Sequence, residues 1–474
     1  MSLTQSAAQP GISRHEMAGP SDRRTSGLSA SPIAMRPAQN GSRVVTLSCA
    51  SATAAAGVIT FIALHSSSMR RLFPLALILL AALPVTPQAP VETGLDPTRL
   101  KLIPVRLREL VENQTIPGAV ALVARHGEIA SLDAEGWRDI EGRKPMTTDS
   151  IFQIMSMTKQ FTGVGAMMLV EEGKLELRRP IEDYLPEFRG QVVDERLPNG
   201  NMTTHAPARP PTVWQLMCHT SGLAENPDGE LSDNLRTMRV PLDEAVRFYA
   251  TRHLQFEPGT RWRYSNMGIA TLGRIIEKVS GEEYVHFIES RILKPLGMSD
   301  TFFFAPPGKR DRIALVYKHE GGKLVRAGDE ILAGDPTKYR AGARYPGPEL
   351  GLYSTAGDLV KFYQMLLSGG EYQGHRYLSR QAIDTMTRVF TPGVDPSGWL
   401  GGTGYGLTFE IVDKPEGTLL LHSPGTFGHG GAFGTEGWVD RHNDLIRILL
   451  VQVSDGSGGP ARAVVMQLGE AAVR

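Results

Sequence analysis

The chain has 474 residues, enough to bury a large core, and it balances 50 Lys+Arg against 50 Asp+Glu. No charge excess points to nucleic acid or an anionic membrane surface. The two cysteines, Cys49 and Cys218, exclude a disulfide framework or a Cys-rich zinc site, and no His-Glu-x-x-His occurs to hold a catalytic zinc. Neither a metal nor another cofactor is expected.

Residues 1–42 are rich in Ser, Pro, Arg and Gly without periodicity and read as disordered. Residues 44–64 are uncharged but carry many Ser, Thr and Ala, a marginal membrane segment at best. Met69-Arg-Arg-Leu-Phe begins a better-formed element: a start methionine, two arginines, a short apolar run, then small residues near Ala89. That layout is a secretory signal peptide over residues 69–90, the alternative being an anchor helix. The reading takes Met69 as the true start and 1–68 as a mis-assigned extension. The remainder, 91–474, is expected in the periplasm or secreted, or held at the membrane by the N-terminal apolar segment.

The globular part begins at Asp96-Pro97-Thr98, a helix-start signal, followed by an apolar stripe from Leu100 to Val111. Ala119 to Arg125 reads as a strand, His126-Gly127 as a tight turn, and Glu128 to Trp137 as the hairpin partner. A buried helix is expected from Ser156 to Val170, closed by Gly173. Residues 190–340 alternate helical stretches (Val240 to Tyr249, Ile269 to Val279) with Pro/Gly loops and read as a mainly helical lobe. Tyr353 to Leu367 is another helix, capped by Ser354 or Thr355. Strands are expected at Tyr405 to Val412, Leu419 to His422, Gly434 to Val439 and Leu445 to Val453, with a last helix over Pro460 to Val473. The fold class is α+β: one antiparallel sheet assembled from both chain termini, flanked by helices, plus the helical lobe.

Three stretches carry chemistry. Ser156 and Lys159 share a helix face at i, i+3, where a desolvated lysine can activate a hydroxyl that is otherwise a poor nucleophile. Alone, Ser-x-x-Lys reads equally well as an N-cap serine beside a solvated lysine. Arg263-Tyr264-Ser265-Asn266 opens a helix; Tyr264 can shuttle a proton if a cation lowers its pKa, and Asn266 can bond both Lys159 and a substrate. Its plainer reading is an aromatic residue and an N-cap asparagine. Phe427-Gly-His-Gly-Gly-Ala-Phe-Gly offers a backbone that comes close to something, with His429 free to donate to substrate or to Tyr264; otherwise it is a glycine-rich hairpin.

Taken together and in order, Ser156-Met-Thr-Lys159, Tyr264-Ser-Asn266 and His429-Gly-Gly431 resemble the three motifs of the serine β-lactamase and penicillin-binding protein superfamily. The nearest branch is that of the class C β-lactamase-like esterases and D-peptidases. Pro117-Gly-Ala-Val-Ala-Leu-Val, His219-Thr-Ser-Gly-Leu223, Gly351-Leu-Tyr-Ser-Thr-Ala-Gly-Asp358 and Gly434-Thr-Glu-Gly-Trp-Val-Asp440 are similar to flanking stretches of that family, so the resemblance covers about residues 96–470. It implies Ser156 as the acylated nucleophile, Lys159 as its activator and Tyr264 as general base and leaving-group acid. It further implies an oxyanion hole from the N–H groups of Ser156 and Ala432 beyond Gly431, with Asn266 and His429 orienting the substrate.

One departure bears on substrate. His429 stands where most β-lactamases of the superfamily carry a lysine, and a mostly neutral ring grips a carboxylate poorly. The expectation is an exported esterase acting on a small-molecule ester. A D,D-peptidase or D-aminopeptidase on cell-wall peptides, or a weak β-lactamase, is the alternative, and a non-catalytic cell-wall binding protein stands behind both.

Overall fold

Successive strand residues point to opposite faces, so a strand apolar along its whole length must be covered on both sides. Leu445–Val451 is such a segment, buried throughout and central to an eight-stranded sheet. The computed structural model describes residues 92–391 and 401–474; the expected signal peptide, the marginal apolar segment and Cys49 lie outside the described residues.

In chain order the sheet strands are β1 (Gly118–Arg125), β2 (Glu128–Asp139), β3 (Lys144–Pro145), β4 (Thr403–Tyr405), β5 (Glu410–Val412), β6 (Phe427–Gly430), β7 (Glu436–Asp440) and β8 (Leu445–Val451). Their spatial order is β4-β5-β6-β7-β8-β1-β2-β3, every pair antiparallel. The first strand of the chain thus pairs with the last, Ala119 opposite Val451 and Arg125 opposite Leu445.

Period-2 alternation divides the core in two. Ala119, Ala121, Val123, Leu445, Leu449 and Val451 face helices α1 (Leu102–Glu112) and the C-terminal Gly459–Ala471, meeting Ile103, Leu107, Val465 and Met466. Val120, Leu122, Ile446, Ile448 and Leu450 face the larger core, which holds α2 (Thr158–Glu171). From Thr158 to Leu169 this helix is buried on every side, as an all-round apolar helix must be. Its Phe161 stacks on Phe362 of the helix Ala356–Leu367, with ring centroids 3.9 Å apart.

The stretch 190–340 contributes Val213–Met217, Leu242–Ala250, α3 (Asn266–Ser280) and Tyr284–Ile288. It also holds two short hairpins, Val193–Arg196 with Met202–His205 and Tyr317–Glu320 with Lys323–Arg326, where the sequence suggested no strand-rich run. Their residues are mostly polar and partly exposed, so apolar patterning gives no sign of them. Among the described residues no helix is long and apolar enough to cross a membrane.

Two strand expectations need correction. Leu419–His422 is no strand: Gly417–Leu419 forms a 3-10 turn, and Leu420 and Leu421 are 62% and 50% exposed. The strand is instead Phe427–Gly430, the glycine-rich stretch itself, paired with β5 and β7. A Cβ on Gly428 would sit 2.2 Å from the Gly437 carbonyl, so tertiary crowding rather than turn chemistry demands the glycine. The expected strand Tyr405–Val412 is two strands, Thr403–Tyr405 and Glu410–Val412, joined by a turn in which Thr408 has φ +66°.

Candidate active site

Ser156 lies on a 3-10 turn, Met155–Met157, that runs straight into α2. The turn is held under strain: Met155 is buried, bulky and has φ +49°. Cross-links fix it from two sides. Ile154 N–H donates to Leu352 O (3.0 Å), and Thr435 Oγ1 donates to Ile154 O (3.1 Å). Ser156 is only 7% exposed.

The i, i+3 spacing brings Lys159 Nζ to 3.2 Å from Ser156 Oγ, and the amine also donates to Asn266 Oδ1 and to the Glu349 carbonyl, each at 2.8 Å. All three ammonium protons therefore have acceptors. Lys159 is fully buried, and burial brings its pKa down to about 7 against the opposing pull of the Glu349, Glu225 and Glu410 carboxylates.

Tyr264 precedes α3, whose N-cap is Ser265: its hydroxyl accepts from Gly268 N–H at 2.9 Å. With the cap supplied by Ser265, Asn266 is free to turn its amide outward, Oδ1 to Lys159 and Nδ2 to Asn226 Oδ1 (2.7 Å). The Tyr264 hydroxyl bonds Ser156, and the Lys159 amine stands 4.6 Å from the Tyr264 ring centroid. The expectation that a cation readies Tyr264 as a base is not met. Burial raises its pKa well above 10, more than the Ser156 bond lowers it. In the free site Tyr264 rests as a neutral phenol, and the group able to take a proton near neutrality is Lys159.

His429 sits on β6, fully buried, and both ring nitrogens are engaged inside the protein. Nδ1 donates to Gly430 O (2.6 Å) and Nε2 accepts from Tyr405 Oη (3.1 Å). Tyr405 in turn accepts from His219 Nε2–H (3.0 Å), and His219 Nδ1 accepts from Ser265 N–H (3.1 Å). One set of tautomers satisfies this whole chain, with both rings neutral. Burial first, then the Lys159 charge, brings the His429 pKa to about 3, and the same causes hold His219 well below its usual value. Glu410 Oε1 lies 3.9 Å from His429 Nδ1, yet this is no ion pair: the ring is neutral, and burial with Glu436 nearby raises the Glu410 pKa to about 8. The expectation that His429 donates to substrate or to Tyr264 is thereby corrected, because its one N–H is spent on Gly430. Its contact with Tyr264 is ring to ring, 6.2 Å between centroids.

Gly431 follows at a point of close approach. Its N–H donates to Thr435 O (2.7 Å), and a Cβ there would fall 2.5 Å from Ile154 O. The strand end thus abuts the segment that carries Ser156, and Ala432 is exposed at the tip of the turn. Ser156, Lys159, Tyr264 and Asn266 are joined by direct contacts, while His429 meets Tyr264 ring to ring and Gly431 abuts the Ile154 carbonyl just ahead of Ser156. Sequence reasoning missed Glu349 and Tyr405 and gave His219 no role. Their only signal was a charged or polar residue inside an apolar loop or strand. Among the described residues no group of His, Cys, Asp or Glu is arranged to hold a metal ion.

A nucleophile hydroxyl beside a buried, partly deprotonated lysine, with a phenol on the same oxygen, is machinery for acyl transfer. A sequence profile of the family described as Beta-lactamase matches residues 106–470. Protein Rv1367c of Mycobacterium tuberculosis is 32% identical over 363 residues, 73% of this chain and 88% of that protein. Esterase EstB of Burkholderia gladioli is 29% identical over 396 residues, 77% of this chain and 96% of the esterase. Among solved structures, EstCE1, titled a hydrolase with promiscuous acyltransferase activity, superposes with a TM-score of 0.66 at 23% identity, over 78% of this chain and 98% of that one, and so shares the fold. The chain belongs to the β-lactamase family and is a serine hydrolase with the fold of the serine β-lactamases and penicillin-binding proteins.

Proposed function

We propose that this serine hydrolase is an exported carboxylesterase that works through an acyl-enzyme on Ser156. The observation that carries the ester reading is the charge at the site. The third motif supplies a buried neutral histidine and no lysine. A β-lactam carboxylate would find no fixed cation in that motif to pair with, whereas a neutral ester needs none. The esterase relative EstB supports the same choice. Export rests on the leader-like layout of residues 69–90.

In this mechanism Ser156 Oγ attacks the ester carbonyl carbon and its proton passes to Lys159 Nζ. The backbone N–H groups of Ser156 and Ala432 receive the oxyanion. As the tetrahedral intermediate collapses, the C–O bond breaks and Tyr264 protonates the departing alkoxide, regaining its proton from Lys159. Water then attacks the acyl-enzyme by the reverse route. A second reading, hydrolysis of D-amino-acid peptides with a free amine, is favoured by the exposed Glu225 beside Asn266, which could pair an ammonium group.

Intact mass spectrometry of the wild type and Ser156→Ala, with a short-chain nitrophenyl ester and separately with a penicillin, tests the proposal. Rapid ester turnover, lost in Ser156→Ala, with no lasting penicilloyl mass supports the esterase. A stable penicilloyl adduct would transfer the assignment to a cell-wall peptidase, and fast penicillin hydrolysis to a β-lactamase.

A further inference from the structure

We infer that Thr435 is a positioning residue for the oxyanion hole: its buried hydroxyl bolts the turn that carries Ala432 to the turn that carries Ser156. The inference rests on the proposed function, in which Ser156 is acylated and the N–H groups of Ser156 and Ala432 receive the oxyanion.

An oxyanion hole works only if its donors already stand where the charge will form. Here the two donors belong to segments far apart in the chain, Ser156 on the turn ahead of α2 and Ala432 between β6 and β7. Among the described residues neither N–H has an acceptor within the protein, so both are available to a substrate oxygen. Each turn is stiff in itself. On the Ala432 side, Gly431 N–H donates to Thr435 O (2.7 Å), Gly434 N–H to Gly431 O (2.9 Å) and Val453 N–H to Phe433 O (3.0 Å). On the Ser156 side, Met157 N–H donates to Ile154 O (3.2 Å). Stiffness within each turn still leaves the spacing between the two open.

Thr435 sets that spacing. Its side chain is fully buried, and Oγ1 donates to Ile154 O (3.1 Å) across 281 positions of chain. The Thr435 carbonyl meanwhile holds Gly431 N–H, so a single residue grips both turns. The surroundings are close-fitting: a Cβ on Gly431 would fall 2.1 Å from Thr435 Oγ1 and 2.5 Å from Ile154 O. Gln452 Nε2 also reaches the Ser156 segment, at Gln153 O (3.3 Å), but from the residue after β8 rather than from the Ala432 turn. Between Ile154 and Ser156 stands Met155 with φ +49°, a conformation that persists only while its neighbours are held. Releasing Ile154 therefore lets the Ser156 N–H move relative to that of Ala432.

Valine has nearly the shape of threonine without the donor. In Thr435→Val the Ile154 carbonyl keeps its bond from Met157 N–H, so the loss falls on the spacing of the turns rather than on an orphaned acceptor. The experiment compares the full chain as wild type, Thr435→Val and Thr435→Ser. Two readouts report the hole: single-turnover acylation by a nitrophenyl ester, and inhibition by phenylboronic acid, whose boron takes up Ser156 Oγ as a tetrahedral boronate. Thr435→Val should slow acylation and weaken the boronate by about tenfold each, while the half-saturating ester concentration changes by less than about twofold. Thr435→Ser keeps the hydroxyl and should stay within about threefold of wild type on both readouts. If Thr435→Val does not fold, Thr435→Ala against Thr435→Ser makes the same comparison of hydroxyl absent and present. Wild-type acylation in the variant without the hydroxyl overturns the inference. So does an equal loss in Thr435→Ser, which would make packing rather than the bond responsible. Failure of the underlying reading looks different: the wild type itself would gain no acyl mass on Ser156.

Discussion

Tyr405→Phe is the most direct probe of the polar chain beneath the site. The tyrosine is 2% exposed, and its hydroxyl holds two histidines at once, accepting from His219 Nε2–H at 3.0 Å and donating to His429 Nε2 at 3.1 Å. Phenylalanine leaves the ring packing intact but strands a buried donor on His219 and a buried acceptor on His429. Each of the two stranded groups costs about 1–3 kcal/mol, and the relief of no longer burying the hydroxyl offsets about 1 kcal/mol, for a net loss of about 1–5 kcal/mol. Urea unfolding at pH 7 reads this as a lower midpoint with an unchanged m-value. Ester turnover should fall about tenfold, because the β6 backbone next to Gly431 loses the anchor provided by the His429 ring. A stability loss below about 0.5 kcal/mol would refute the reasoning, since it would mean the two histidines do not depend on that oxygen.

Three further outcomes follow. Gly431→Ala would place a methyl 2.1 Å from Thr435 Oγ1 and 2.5 Å from Ile154 O, so the strand must back away from the nucleophile turn. Acylation should fall about a hundredfold in a folded protein, and a normal burst would show that this contact does not set the geometry. Tyr264→Phe should lower turnover about a hundredfold while keeping the acid limb that belongs to Lys159; wild-type rates would deny Tyr264 the proton-transfer role. Stability against pH should be flat and then break. His219, His422 and His429 are held neutral in the fold, His422 to about 2 and His429 to about 3, so below about pH 6.5 the unfolded chain binds three more protons through them. Burial keeps Glu349, Glu410 and Glu470 protonated up to about 7 or 8, so above about pH 4.5 the native state binds three more. The sets cancel between those limits, and below pH 4.5 the histidine set alone costs about 4 kcal/mol per pH unit. Glu410→Gln should tilt the flat region toward acid lability, and urea melts from pH 3.5 to 7 that show no tilt would contradict the protonated state assigned to that residue.

The residue types of the chemistry were legible in the sequence because they depend on local spacing. Ser156 and Lys159 meet because a helix brings i and i+3 together, and Tyr264 stands just ahead of a helix whose start is written in its own residues. The outer frame was legible for the same reason. The apolar runs at Ala119 to Ala124 and Leu445 to Val451 announce strands buried on both faces, and in the fold these two pair with each other. Only the tertiary structure decided the roles. Tyr264 is a neutral phenol because burial raises its pKa, and His429 has no N–H to spare because Gly430 and Tyr405 claim its nitrogens. Glu349 gave no sign of its place, since it reaches Lys159 from 190 positions along the chain. A pKa or a hydrogen-bond partner is a property of what surrounds a group in space, and spacing along the chain carries that information only within a turn or a strand.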